Sequence, residues 1–149
     1  MVNVATFFME PVLFKFESPA EYYEAEVFVL WCFDWRFDRL LDKFKARFRQ
    51  PDYIKWAGGA KALADGGADR EAVLNQIRLS VRLHRPRKVV LMAHADCGAY
   101  GEFKNPDDEF AHHSAELERA AEAILREPDL AHMEIESYFA DFSGLRRTR

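Results

Sequence analysis

The chain has 149 residues, 49% hydrophobic and 31% charged, a length that suits one domain with a real core. Acidic residues outnumber basic ones 25 to 21, giving a net charge of −4. That balance argues against a nucleic-acid partner, which calls for a basic excess. The two cysteines, Cys32 and Cys97, are too few for a disulfide-rich secreted scaffold. They leave three uses open: one disulfide, two buried thiols, or metal ligands.

The residues from Met1 to Glu10 carry no basic run and no cleavage-site pattern, so no targeting signal is expected. The longest uncharged apolar run, Val27 to Phe33, is far below the roughly 20 residues of a membrane span. The expected compartment is the cytoplasm, whose reducing conditions weigh against a Cys32–Cys97 disulfide.

In chain order, the aromatic-rich stretch from Val2 to Phe16 reads as an extended arm that packs on a partner. Ser18-Pro19-Ala20-Glu21 has a capping-box pattern and predicts a short helix to about Ala25. Residues 1–26 are thus assigned to an arm with a short helix, and residues 27–149 to one α/β domain. Val27 to Cys32 is an uninterrupted apolar run, as in a strand buried on both faces. Phe37, Leu40, Leu41, Phe44 and Phe48 follow at helical spacing until Pro51. Tyr53 to Trp56 is a short second strand that ends in Ala57-Gly58-Gly59. A helix capped by Asp69 runs to about His84, with Val73, Leu74, Ile77 and Val81 on its buried stripe. Lys88 to Ala93 is a third strand. Asp107 begins a helix that stops near Pro128, and Met133 to Phe139 is a last strand. The tail from Arg146 to Arg149 reads as solvated. Alternating strands and helices predict an α/β fold with a mostly parallel sheet of about four strands flanked by helices.

Ligands in such sheets bind beyond the carboxyl ends of the strands. Two ends carry unusual side chains: Cys32-Phe33-Asp34-Trp35-Arg36 and His94-Ala95-Asp96-Cys97-Gly98. Taken singly, each has an ordinary reading, such as a small core thiol, a packed imidazole or a surface ion pair. Together, two thiols and an imidazole at ends that share one sheet edge make a zinc ligand set with one coordination position left open. Gly98 permits a tight turn beside the ion. Asp96 either orients His94 or faces solvent. His112 and His113 read as a solvated helical face, with proton shuttling as the second reading. His84 and His132 have no role assigned.

The pattern Cys-x-Asp-x-Arg, followed by a strand ending His-x-x-Cys-Gly, resembles the β-class carbonic anhydrases, with this chain a short, divergent member. The resemblance covers about Val27 to Leu145. It implies one zinc ion per chain held by Cys32, His94 and Cys97, and an Asp34–Arg36 dyad. It implies reversible hydration of CO2 to bicarbonate by a zinc-bound hydroxide. In the family the aspartate is either held by the arginine or closes the site as a fourth ligand. Trp56-Ala57-Gly58-Gly59 is similar to a degraded Arg-Asn-Ala-Gly segment, so Gly58, Gly59 and Gly98 are expected at the substrate pocket. The resemblance also implies a homodimer or higher homo-oligomer whose arm crosses to its partner, with no membrane or nucleic-acid partner. Trp35 stands where the family carries serine, and Lys55-Trp56 where it carries Arg-Asn. Trp35 is expected either to narrow the pocket or to change the dimer contacts, and with Trp56 to alter the entrance. That leaves two alternatives: a related zinc hydrolase acting on COS or CS2, or a silent zinc-binding protein with Asp34 closing the site.

Overall fold

The computed structural model describes residues 11–149. The aromatic positions before residue 11 lie outside the described residues. The chain runs β1 (Val27–Cys32), a 3-10 turn (Trp35–Phe37), α1 (Asp38–Lys45), β2 (Asp52–Trp56), α2 (Lys61–Asp65) and α3 (Gly67–His84). It continues with β3 (Lys88–His94), α4 (Pro106–Leu125), β4 (Glu134–Asp141) and β5 (Gly144–Arg147). The five strands form one sheet in the order β2-β1-β3-β4-β5. β1, β2, β3 and β4 pair in parallel, and β5 returns antiparallel on β4. Among the described residues, no helix is long and apolar enough to cross a membrane.

Side chains alternate across a strand, so the apolar run of β1 feeds two cores at once. Phe28 and Leu30 pack with Leu63, Leu74, Ile77, Leu117 and Ile124 from α2, α3 and α4. Val27, Val29 and Trp31 face the other way, onto Phe37, Leu41 and Phe44. Every residue of β1 is buried, as is every residue of β3 after Lys88.

Five expectations change. α3 begins at Gly67, so Asp69 lies in its first turn and does not cap it. Residues 19–25 are not helical. Seven residues without an apolar stripe cannot offset the cost of helix nucleation. Tyr23 instead stacks on His84 with centroids 4.1 Å apart and donates its hydroxyl to Asp52 at 2.9 Å. Asp52 also accepts from Ser80 Oγ and pairs with His84 Nδ1. The last long helix is capped by Asn105, which accepts from the Asp108 amide, with Pro106 in its first turn. The tail is not free: Arg146 and Arg147 lie in β5, Arg149 pairs with Glu118 and Arg147 with Glu136. That hairpin makes the sheet five-stranded. Finally, His112 is exposed but His113 is fully buried, so the two do not form one solvated face.

Candidate metal centre

The strand order reverses between β1 and β3. β2 lies on one side of β1, and the chain then crosses back to place β3 on the other. Such a switch point opens a crevice beyond the carboxyl ends of the two strands. Cys32 is the last residue of β1 and His94 the last of β3. Cys97 follows in the turn after β3. One ligand atom from each of the three lies within 4.8 Å of the others, and all three residues are buried. That spacing is close to the span of one ion with bonds of about 2.0–2.3 Å.

The donor chemistry fits a metal. His94 Nδ1 lies 2.8 Å from the Ala95 carbonyl oxygen, to which it donates. This fixes the proton on Nδ1 and leaves Nε2 as a lone-pair donor. Nε2 is buried and has no hydrogen-bond partner. An orphaned buried nitrogen is costly unless something else occupies its lone pair. The Phe37 ring packs on the imidazole at 4.4 Å. Both cysteines are free and buried. A hydrogen bond from Cys97 pulls the Cys32 thiol well below its usual range, and the same contact, with burial, pushes Cys97 up. A lowered thiol favours the thiolate, the form that binds metal.

Asp34 caps the 3-10 turn that leaves β1. Its Oδ1 accepts from the Arg36 amide at 3.0 Å. The Arg36 guanidinium donates through Nε to Oδ1 at 3.0 Å and through Nη2 to Oδ2 at 2.6 Å. This fork holds the Asp34 carboxyl down at about 2. Asp34 Oδ2 lies 3.9 Å from His94 Nε2, but Asp34 does not join the close cluster of three ligand atoms. The aspartate is turned to arginine rather than to the ligands.

A cavity of about 610 Å³ opens over the cluster, lined among others by Cys32, Asp34, Arg36, Gly58, Cys97 and Gly98. Two placements differ from expectation. Gly59 does not line the cavity. At φ 57° it packs under β3, where a Cβ would overlap the Met92 carbonyl oxygen. Trp35 is 81% exposed and Trp56 packs against the α2–α4 core, so neither narrows the pocket. Asp96 follows the second of its two readings: it does not touch His94, and its side chain is exposed. Its side chain and its carbonyl both accept from Arg36, each at 2.8 Å. One further residue escaped the sequence reading: Glu109 of α4, whose Oε1 accepts from the Asp96 amide at 2.6 Å. It sits thirteen positions from Asp96 across an irregular loop, where no periodicity reports a contact.

Fold and cluster together define an α/β protein with a buried two-thiol, one-imidazole pocket at the switch point of its sheet. Residues 23–144 match the family described as "Putative carbonic anhydrase", and the chain belongs to that family. Solved structures agree on the fold. The carbonic anhydrase of Streptococcus mutans superposes with a TM-score of 0.63 at 15% identity, covering 86% of this chain and 84% of that one. The β-carbonic anhydrase isoform I of Trichomonas vaginalis gives 0.66 at 10% identity, covering 90% and 87%. An apo carbon disulfide hydrolase gives 0.53 at 13% identity, covering 86% and 80%. Comparison with curated proteins yields no match.

Proposed function

We propose that the protein is a zinc-dependent carbonic anhydrase that interconverts CO2 and bicarbonate. The observation that carries this reading is the buried, unpartnered His94 Nε2 facing two free buried thiols at the switch point. The ligands on this reading are Cys32, His94 and Cys97, one zinc ion per chain. Bound there, zinc would supply the Lewis acidity that lowers the pKa of a bound water to near 7.

The chain's own groups then have separate tasks. Ala95 fixes the tautomer of His94 through its carbonyl. Asp34 offers a carboxylate oxygen at the pocket that accepts a hydrogen bond from a reacting O–H and so sets its direction. Arg36 keeps that carboxylate charged and turned away from the ligands, which favours an open site over the silent, closed alternative. Gly58 and Gly98 leave the pocket wall without side chains, room enough for a small linear substrate. With both tryptophans away from the cavity, nothing in its lining favours COS or CS2 over CO2. On this reading the protein works in the cytoplasm with both thiols reduced. The exposed apolar residues Val12, Leu13, Phe14 and Phe16 are an arm that docks on a second copy of the chain.

Stopped-flow CO2 hydration at neutral and mildly alkaline pH, on protein with measured zinc content, tests the reading. A zinc-loaded chain with no rate above buffer at either pH would overturn it. COS and CS2 assayed in parallel identify the alternative hydrolase.

A further inference from the structure

The turn between His94 and Cys97, two of the three proposed ligands, is strained and exposed at Asp96. Asp96 has φ 53°, in the left-handed region that non-glycine residues seldom occupy. Such a conformation persists where its surroundings over-determine it. Packing does not do so here. Asp96, Cys97 and Gly98 stand between two cavities, the one over the cluster and another of about 700 Å³ on the α4 side. The Asp96 side chain is 75% exposed.

Hydrogen bonds supply the constraint. From one side, Arg36 donates to the Asp96 carbonyl and carboxylate. From the other, Glu109 accepts the Asp96 amide hydrogen at 2.6 Å. Both backbone groups of this one residue are therefore held by charged side chains from two different elements. Glu109 is itself well fixed. Its side chain is only 14% exposed, and it rises from the first turn of α4, where the helix dipole favours a carboxylate. The buried ring of His113, one turn along α4, stands 3.9 Å behind it.

We propose that Glu109 is a positioning residue for the metal centre. By gripping the amide between Ala95 and Cys97, it holds the His94–Cys97 turn in its left-handed form and sets the direction from which the Cys97 sulfur reaches the ion. Arg36 grips the same residue from the pocket side. Removing Glu109 leaves Asp96 free to relax toward ordinary backbone, which swings Cys97 out of line. The inference rests on the zinc reading above.

The test measures zinc affinity by chelator competition, and the ligand-field and thiolate bands of the cobalt(II)-loaded full chain. Circular dichroism controls for folding. Glu109→Leu is expected to weaken zinc binding 10–100-fold, the usual effect of losing a group that orients a ligand, and to shift the cobalt bands. Glu109→Gln keeps an amide oxygen that accepts from the same N–H, and should restore affinity to within a few-fold of wild type. Glu122→Leu, at an exposed position on the same helix, should change neither readout. Should the leucine variant not fold, Glu109→Asp withdraws the carboxylate by one methylene while keeping its charge, and should show the same loss. A folded Glu109→Leu chain with wild-type zinc affinity and an unchanged cobalt spectrum overturns the proposal, as does a glutamine variant no better than leucine. A wild-type chain that takes up no zinc overturns the functional reading itself. That is a different result from a site that binds zinc and ignores position 109.

Discussion

His113 offers a sharp test of the interior electrostatics. It is fully buried between Tyr100, Phe103 and Phe139, and neither ring nitrogen has a hydrogen-bond partner. Burial, reinforced by His112, His94 and Lys61 nearby, pulls its pKa from 6.5 down to about 4 despite the Glu109 carboxylate 3.9 Å from its Nε2. Between those two values the unfolded chain binds a proton that the folded chain refuses. Stability contributed by the neutral ring is therefore complete above pH 6.5. It falls as pH falls, and it is fully spent near pH 4. At about 1.4 kcal/mol per pH unit, the window is worth up to about 3 kcal/mol. His113→Phe keeps an aromatic ring in an aromatic pocket and removes the titration. Urea unfolding of chelator-treated wild type and variant at pH 7 and pH 4.5 checks this. Treating both with chelator removes metal release from the comparison. The variant should lose less stability on acidification, by about 2–3 kcal/mol. Equal losses in the two proteins would refute the argument, because the ring would then be paired with Glu109 or hydrated in the folded chain.

Gly59→Ala places a Cβ against the Met92 carbonyl at a left-handed backbone. It should cost about 3 kcal/mol or more in denaturant unfolding, since strain of about 1–2 kcal/mol is joined by a backbone clash. Arg36→Leu releases both the Asp34 carboxylate and the Asp96 carbonyl. It should lower CO2 hydration at least 10-fold at neutral pH, with metal content measured in the same samples. Cys32→Ser and Cys97→Ser should each abolish stoichiometric zinc uptake by elemental analysis while leaving the helical signal in place. Asp52→Asn weakens the contacts that Tyr23, Ser80 and His84 make with one carboxylate. It should speed proteolysis near residue 23 and lower stability by about 1–2 kcal/mol.

The parts of the fold legible in the sequence were those where burial dictates composition. β1 and β3 are covered on both faces, so their apolar runs had few other readings, and the three ligand positions fall at their ends. β5 escaped because its exposed residues Arg146 and Arg147 carry charge, as the free edge of a sheet requires. The five-residue α2 is too short for a helical period to register. The capping-box signal at Ser18 was locally sound but lost to tertiary contacts, since Tyr23 gains more from His84 and Asp52 than from one turn of helix. Trp35 looked intrusive by size alone. Only the 3-10 turn that follows Asp34 turns its indole outward. His113 is buried and Glu109 half-buried on a helix whose first turn is acidic, and the ring of His113 is covered by Tyr100 and Phe103 of the loop and by Phe139 of β4, none of which the period of α4 reports.

The reversal of strand order has a thermodynamic side as well. Cys32 and Cys97 are neighbours in space, yet the chain between them includes α1, β2, α2, α3 and β3. An ion shared by the two sulfurs is then a cross-link that closes a long loop. Restricting the unfolded chain in this way is worth about 4 kcal/mol at that loop length. On the zinc reading, the ion both serves the pocket and limits the disorder open to nearly half the molecule, so segments from β2 to α3 can diverge in sequence while the strand ends stay in register.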